Sequence, residues 1–200
     1  MNQEEEGYRP DVIAETDAPK RERSGCVRVV LDILETLFIS AVLFLGINAI
    51  SARIRVDGQS MQPTLHSGEF IIVNKLAYWL GQVQRGDVIV FHFPRNLEQE
   101  YIKRVIGLPG DEVVIANQQV RVNGEVLDEP YIAEPPDYEG TWIVPEGSLF
   151  VLGDNRNNSS DSHNWGPVSL DYVVGKALVV YWPPDQWGLV GRQLASPSTP

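Results

Sequence analysis

The sequence predicts a mostly β domain that follows a single N-terminal membrane-spanning helix, and two observations support this class. No charged residue occurs in the run 36–51, whereas beyond Arg53 the apolar residues fall into short segments rich in β-branched and aromatic side chains. Gly, Pro, Asn or Asp bounds each segment, which is typical of antiparallel strands joined by turns. With 200 residues, 43% of them hydrophobic, the chain can bury one sizeable core.

The charge and the cysteine content exclude several classes of protein. The net charge is −11, and no cluster of Lys and Arg could neutralise a nucleic-acid backbone, so we expect no nucleic-acid partner. Cys26 is the only cysteine, which excludes an internal disulfide and a thiolate metal cluster. His66 and His92 lack the spacing of metal ligands. We therefore expect neither a metal nor an organic cofactor.

The N-terminal part predicts a tail and an anchor. Residues 1–26 are acidic and poor in large apolar side chains, which predicts a flexible tail. Residues 27–52 predict a transmembrane signal anchor, because nothing like a small-x-small cleavage site follows the apolar run. A buried amphipathic helix of a soluble domain is the alternative. Basic residues are slightly more frequent before the run than after it, which favours a cytoplasmic N-terminus and a domain across the membrane.

Seven segments predict strands, and their spacing predicts a small insertion. Asn123–Gly124 is a strong signal for a two-residue hairpin, so residues 112–147 predict a β-ribbon insertion lobe whose part after Leu127 is an irregular connection. The main β domain then comprises 53–111 and 148–183, and 184–200 predict a weakly ordered tail. The predicted strands are 70–73, 88–91, 101–106, 113–115, 119–122, 148–152 and 173–182.

Ser60 is the candidate nucleophile. It stands in the segment Asp57–Leu65, where Gly58 permits close approach and Pro63 fixes one backbone angle, so the segment predicts a shaped loop rather than a helix or a strand. Such a loop would hold one hydroxyl in a defined place. Taken alone, a serine beside a glycine is more often an ordinary turn residue.

Lys103 is the second candidate. In a strand, Lys103 and Arg104 point to opposite faces, so Lys103 can face an apolar core. Its use as a base requires its surroundings to supply roughly 4 to 5 kcal/mol, because a lysine with a pKa of about 10.4 is almost always charged at pH 7. The alternative is a lysine at a sheet edge.

A polar loop, 153–163, is the third element. Asp154 and Arg156 could form an ion pair that braces a site, and Ser159 and Asp161 could orient a lysine ammonium. Asn, Asp and Ser side chains also often satisfy the backbone of their own turn.

Together these segments resemble bacterial type I signal peptidases, the membrane-anchored serine proteases that remove signal peptides from exported proteins. The resemblance is collinear and covers most of residues 30–182. Four motifs carry it: Gly58–Leu65, Arg85–Phe91, Tyr101–Asp111 and Gly153–His163.

The resemblance implies a serine endopeptidase with a Ser-Lys dyad. Ser60 is then the nucleophile and Lys103 the general base, and the reaction passes through an acyl-enzyme that water hydrolyses. Ser159 orients the lysine and Asp161 supports Ser159. Asp154 and Arg156 brace the loop.

Two departures from the family pattern affect the site. The Ser60 N–H is the expected oxyanion donor. Some members add a second donor, a side-chain hydroxyl two residues before the nucleophile, but Gly58 stands at that position here. A second oxyanion donor would then be a backbone group, such as that of Gly58, or water. His163 stands where many members carry arginine. It permits a rival triad of Ser60, His163 and Asp161.

The resemblance also implies the setting of the reaction. The protein would be a single-pass protein of the plasma membrane with its catalytic domain on the outer side, and its partners would be the lipid bilayer and the signal peptides of exported preproteins.

Two other hypotheses remain: a membrane-tethered binding factor with the same fold, and a self-cleaving repressor. A repressor of that kind predicts an N-terminal DNA-binding domain, which the acidic tail and the apolar run contradict.

Overall fold

The structure is a computed structural model that describes residues 25–191. Its first element is α1, Gly25–Ile50, a helix of 26 residues that is long and apolar enough to cross a membrane. Its side chains are exposed along its whole length, which is not expected of a core helix of a soluble domain. The helix begins and ends two residues earlier than the predicted anchor. Most of the predicted N-terminal tail lies outside the described residues.

Seven strands follow one another across the larger sheet, and every neighbouring pair is antiparallel. In chain order the twelve strands are β1 (Ser51–Arg55), β2 (Phe70–Asn74), β3 (Val88–Phe93), β4 (Asn96–Gly107), β5 (Glu112–Ala116), β6 (Gln119–Val122), β7 (Glu125–Val126), β8 (Gly140–Ile143), β9 (Ser148–Leu152), β10 (Val168–Ser169), β11 (Val173–Trp182) and β12 (Gly188–Leu189). The order across the larger sheet is β1-β2-β11-β3-β4-β9-β10, and β12 pairs with β11. Two short helices, α2 (Ala77–Leu80) and α3 (Ser162–Trp165), complete the regular elements together with the 3-10 turns Arg156–Asn158, Leu170–Tyr172 and Pro184–Gln186.

A smaller sheet has the order β7-β6-β5-β8. The turn between β6 and β7 is the predicted Asn123–Gly124, and both residues have positive φ, as a type I′ turn requires. The smaller sheet contacts the end of β4 at Gly107. A Cβ there would lie 2.7 Å from Val113 Cγ2 and 2.8 Å from Val144 Cγ2, so only glycine fits this approach.

All seven predicted strands are present, and the mostly β fold class is confirmed. Two expectations about irregular segments are wrong. The connection after Leu127 contains β8, which pairs with β5, and the predicted weakly ordered end contains β12. Val190 is only 8% exposed and the Trp187 ring N–H donates to the Tyr181 carbonyl, so burial and a hydrogen bond hold this proline-rich segment. Residues 192–200 of the predicted tail lie outside the described part, and the division into domains stays a prediction.

The strand that matters most for the site is β4, which lies between β3 and β9. It runs for 12 residues, and its last five, 103–107, are buried. Lys103 lies opposite Ile89 of β3, and Arg104 lies opposite Leu152 of β9. Pairing on both sides gives both cations a rigid backbone in the middle of the sheet.

Candidate active site

Ser60 lies in the loop between β1 and β2, and two buried apolar side chains anchor this loop. Met61 is 1% exposed and Leu65 is fully buried, and the Leu65 N–H donates to the Met61 carbonyl over 2.9 Å. Gly58 has a φ of +98°, a conformation that residues with a Cβ rarely adopt. The loop therefore holds the half-buried Ser60 in a defined position, as the sequence predicts.

The Lys103 side chain reaches this serine. Its Nζ lies 2.6 Å from Ser60 Oγ and donates to the Ile102 carbonyl over 3.0 Å. Lys103 is only 3% exposed, and its ammonium lies 5.5 Å from the centre of the Tyr101 ring. The structure thus joins the two residues that the sequence singles out, although 43 positions separate them.

Burial lowers the pKa of Lys103 from 10.5 to about 8, because the charged form loses its hydration. Asp161 and Asp154 act in the opposite direction, since their negative charges raise this pKa. With a pKa near 8, roughly one molecule in ten carries a neutral amine at pH 7, compared with fewer than about one in a thousand for an ordinary lysine. The site can therefore present an amine that accepts the Ser60 proton near neutral pH.

An open cleft of about 610 Å³ borders the two residues. Residues 54–57, at and beyond the end of β1, line one part of it, and residues 99–102 of β4 line another. Ser60, Lys103 and Ser160 also line the cleft. A substrate in this cleft would meet strand backbone and the Ser60 hydroxyl at the same time.

Asp154 forms a buried ion pair with Arg104, the residue after the lysine. Arg104 Nη2 and Nε lie 2.6 and 2.8 Å from the two carboxylate oxygens, and both side chains are fully buried. The Thr64 hydroxyl donates to the same carboxylate over 2.5 Å. This pair therefore ties the serine loop and the polar loop to β4.

The predicted ion pair between Asp154 and Arg156 is wrong. Arg156 instead pairs with Glu129, at 2.6 and 2.8 Å, and its Nε donates to the Gly153 carbonyl over 3.0 Å. The prediction paired two residues of one loop, whereas the structure pairs Asp154 with Arg104 and Arg156 with Glu129, each in a distant segment. Both residues still brace the loop, because each fixes it to a separate part of the fold.

Asp161 and Ser159 lie on the same loop, close to the serine. The Gly153 N–H donates to Asp161 Oδ2 over 2.9 Å, which fixes the carboxylate. A Cβ on Gly153 would overlap both Ser159 Oγ and the Ser60 carbonyl oxygen, so the Ser159 hydroxyl packs beside the serine loop. That hydroxyl is buried and has no hydrogen-bond partner among residues 25–191. Its role in orienting Lys103 stays a prediction.

His163 contacts Asp161 and a tyrosine. Its Nδ1 lies 2.6 Å from Asp161 Oδ1, and its ring stacks on Tyr138 with the ring centres 3.9 Å apart. Within the part of the chain that the structure describes, no hydrogen bond joins His163 to Ser60. Because the hydroxyl of Ser60 contacts Lys103, the geometry favours the dyad over the rival triad.

The backbone N–H groups of the two predicted oxyanion donors, Ser60 and Gly58, differ in whether they already donate a hydrogen bond. The Ser60 N–H donates to no acceptor in the described range, whereas the Gly58 N–H points to Ser67 Oγ at 3.3 Å. A Cβ at Gly58 would meet nothing within 4 Å, so the space in front of it is open. Of the two backbone groups, that of Ser60 is the one free to meet an oxyanion.

Sequence reasoning missed Arg104 and Glu129 as bracing residues. Arg104 carries a detectable signal, because an arginine among buried apolar neighbours in a central strand requires a carboxylate partner. Glu129 stands in a segment rich in proline and carries no such signal. Among the described residues, no group of three or more His, Cys, Asp or Glu is arranged to hold a metal.

Comparison with known proteins identifies the family. The family described as "Signal peptidase, peptidase S26" matches residues 30–182. The chain belongs to this signal peptidase family. Signal peptidase I of Leptolyngbya laminosa is 44% identical over 167 residues, which cover 79% of this chain and 82% of that protein. The probable signal peptidase I-2 of Synechocystis is 40% identical over 187 residues, which cover 90% of this chain and 85% of that protein.

A solved signal peptidase I from Enterococcus faecalis is 38% identical to this chain. It covers 48% of this chain and 97% of its own, with a TM-score of 0.45. As a member of the signal peptidase family, the present chain is a serine endopeptidase, a hydrolase that cleaves signal peptides. Its N-terminal apolar helix fits association with a membrane.

The buried Asp154–Arg104 pair leads to a stability prediction. Asp154→Asn keeps the size of the side chain but leaves the Arg104 guanidinium buried without a counter-charge, which we expect to lower the free energy of unfolding by about 3–5 kcal/mol. The measurement is guanidinium unfolding of the detergent-solubilised protein, followed by tryptophan fluorescence.

The matched control is Asp57→Asn, which removes an exposed partner 3.6 Å from Arg55. We expect this change to alter the free energy of unfolding by about 1 kcal/mol or less. Equal effects of the two substitutions would contradict the structural role assigned to Asp154.

Proposed function

We propose that Ser60 is the nucleophile and Lys103 the general base with which this signal peptidase cleaves signal peptides. One observation carries the proposal: the 2.6 Å contact between Ser60 Oγ and the Nζ of a lysine that is 3% exposed. A hydroxyl is a weak nucleophile unless a base removes its proton as it attacks. Burial provides that base, because it increases the neutral fraction of Lys103.

The reaction then proceeds in two balanced stages. Ser60 Oγ attacks the carbonyl carbon of the scissile bond, its proton passes to the Lys103 amine, and the carbonyl electron pair moves to oxygen. As this intermediate collapses, the C–N bond breaks and Lys103 gives the proton to the leaving amine. A water molecule, deprotonated by the same amine, attacks the ester on Ser60. The ester bond breaks, Ser60 regains a proton from Lys103, and the acyl part leaves as a carboxylic acid.

The supporting residues act by holding these groups in place. The Ser60 N–H is the oxyanion donor, and open space at Gly58 leaves room for the oxyanion and for a second donor. We assign Ser159 to orienting the Lys103 amine and Asp161 to supporting Ser159. Asp154 and Arg156 fix the polar loop through Arg104 and Glu129. No step requires a metal or an organic cofactor.

The substrate class follows from the shape of the cleft and from the family. The cleft is lined by residues 54–57 and 99–102, which lie at or next to strands, so an extended peptide can add its backbone hydrogen bonds to these segments. We assign as substrates the signal peptides of exported preproteins, with small residues at the first and third positions before the cut.

The short chain between α1 and Ser60 supports a site near a membrane. Ser60 follows Ile50, the end of α1, by ten residues, which can span at most about 36 Å when fully extended. We assign the protein to the plasma membrane as a single-pass protein that contacts the bilayer through α1. Its N-terminus is cytoplasmic and its catalytic domain lies on the outer side, in agreement with the basic residues before the helix.

The dyad predicts the effects of three substitutions. Ser60→Ala removes the nucleophile and Lys103→Met replaces the base with an apolar side chain of similar length, so each should lower kcat/KM for a preprotein with an Ala-x-Ala site by about a thousandfold or more. His163→Ala should remain active. The measurement is cleavage by the detergent-solubilised protein, with the thermal midpoint as the control for folding. An inactive His163→Ala together with an active Lys103→Met would replace the dyad with the triad.

The pKa of Lys103 predicts a pH profile. Because only the neutral amine accepts a proton, kcat/KM should rise about tenfold per pH unit below pH 8 and level off above it. Asp161→Asn removes a negative charge that raises this pKa, so the inflection should move to lower pH. The profile of both proteins can be measured with a short peptide substrate. An inflection near 6.5 in the wild type, the ordinary value for histidine, would indicate another base.

The topology predicts the labelling of Cys26, which is the only cysteine of the chain. A membrane-impermeant maleimide should leave Cys26 unlabelled in sealed spheroplasts and should label it after lysis, because the N-terminal end of α1 faces the cytoplasm. The matched control is Cys26→Ser combined with Glu125→Cys, an exposed position of the β domain that should be labelled in both preparations. The reverse labelling pattern would contradict the proposed orientation.

A further inference from the structure

Asn155, the residue after the buried Asp154, holds two consecutive carbonyl groups of the serine loop. Its side-chain Nδ2 donates to the Gln59 carbonyl over 3.1 Å, and its backbone N–H donates to the Ser60 carbonyl over 3.0 Å. The first carbonyl belongs to the peptide group that also contains the Ser60 N–H. Asn155 therefore contacts the peptide group that precedes the nucleophile.

The geometry of that peptide group determines where the Ser60 N–H points. Among the described residues, the cis peptide bonds are Gln62–Pro63 and Trp182–Pro183, so the bond from Gln59 to Ser60 is trans. In a trans peptide the C=O and the N–H point in opposite directions. With the Gln59 carbonyl directed at Asn155, the Ser60 N–H points away from the polar loop. It donates to no acceptor in the range 25–191.

We propose that Asn155 is a positioning residue that aims the Ser60 N–H at the carbonyl oxygen of the scissile bond. The inference rests on the proposed role of Ser60 and adds a residue that acts through the Gln59 carbonyl without touching the substrate. The Gln62 N–H also donates to this carbonyl, over 3.1 Å. The turn therefore already favours this direction of the Gln59 carbonyl, and the hydrogen bond from the Asn155 side chain restricts it further.

A misdirected Ser60 N–H should affect kcat and KM differently. An oxyanion donor acts mainly where negative charge develops, so a misaligned donor slows the chemical step without weakening the binding of the substrate. Loss of a complete donor lowers kcat by roughly 10²–10³-fold. Because Asn155→Ala keeps the Ser60 N–H and the bond from Gln62, we expect a smaller decrease, about tenfold in kcat, with KM unchanged.

The experiment compares Asn155→Ala with Asn158→Ala in the detergent-solubilised full chain. Asn158 is the matched control, because it lies in the same loop and points to Gln59 as well, but to the side-chain Oε1 at 3.4 Å instead of the backbone. We expect kcat to fall about tenfold for Asn155→Ala and to stay unchanged for Asn158→Ala. Asn155→Asp, which keeps the size but cannot donate a hydrogen bond, should reproduce the loss. If the thermal midpoint shows that Asn155→Ala does not fold, the kcat of Asn155→Asp tests the inference instead.

A peptide aldehyde that ends in alanine gives a second readout. Ser60 Oγ bonds to the aldehyde carbon, the serine proton passes to Lys103, and the carbonyl electron pair moves to the oxygen, so the adduct presents an oxyanion to the Ser60 N–H. We expect the inhibition constant to rise for Asn155→Ala by the same factor as kcat falls.

Three results would overturn the inference: an unchanged kcat, a higher KM at constant kcat, or an unchanged affinity for the aldehyde. Failure of the proposed function gives a different result, because Ser60→Ala would then still cleave the substrate. An inactive Ser60→Ala beside a fully active Asn155→Ala would leave the dyad in place and remove only the role of Asn155.

Discussion

The contact between the Lys103 amine and the Ser60 hydroxyl requires a cation-forming side chain to be buried in the middle of a sheet. Burial disfavours the charged form of the lysine because that form loses its hydration, and this lowers the pKa of Lys103 to about 8, so that roughly half of the molecules carry a neutral amine at pH 8. The surrounding fold must therefore be stable enough to hold a lysine where hydration is poor. Pairing of β4 with β3 and β9 provides that rigidity, because it fixes the backbone on both sides of the lysine.

Two buried ion pairs attach the polar loop to two distant segments, β4 and the connection that contains Glu129. Arg104 follows Lys103 directly, so its pair with Asp154 attaches the polar loop to the same strand. Arg156 attaches the other side of that loop to Glu129, in the connection between β7 and β8 of the smaller sheet. The Arg104 guanidinium also lies 3.9 Å from the centre of the Tyr131 ring, in the same connection. The smaller sheet and its connection thus contribute to the shape of the site, although Ser60 and Lys103 lie elsewhere.

Much of the fold could be predicted because strands in this chain carry local signals. β-branched runs between turn residues marked seven strands, and Asn123–Gly124 marked a turn that needs positive φ at both positions. Five strands were not predicted: β1, β7, β8, β10 and β12. Of these, β8 and β12 are short and lie among prolines and glycines. Their strand conformation depends on pairing with β5 and β11, which no local pattern contains.

For the site, the sequence alone determined the candidate residues to which we assign the chemistry. Ser60, Lys103 and the loop 153–163 stand out because a shaped loop, an alternating strand and a dense polar run are local properties of the chain. The tertiary structure alone decided which charges pair. Sequence proximity suggested Asp154 with Arg156, whereas the fold joins Asp154 to Arg104 and Arg156 to Glu129. The physical reason is that a buried charge needs the nearest opposite charge in space, and only the packing of strands and loops determines which one that is.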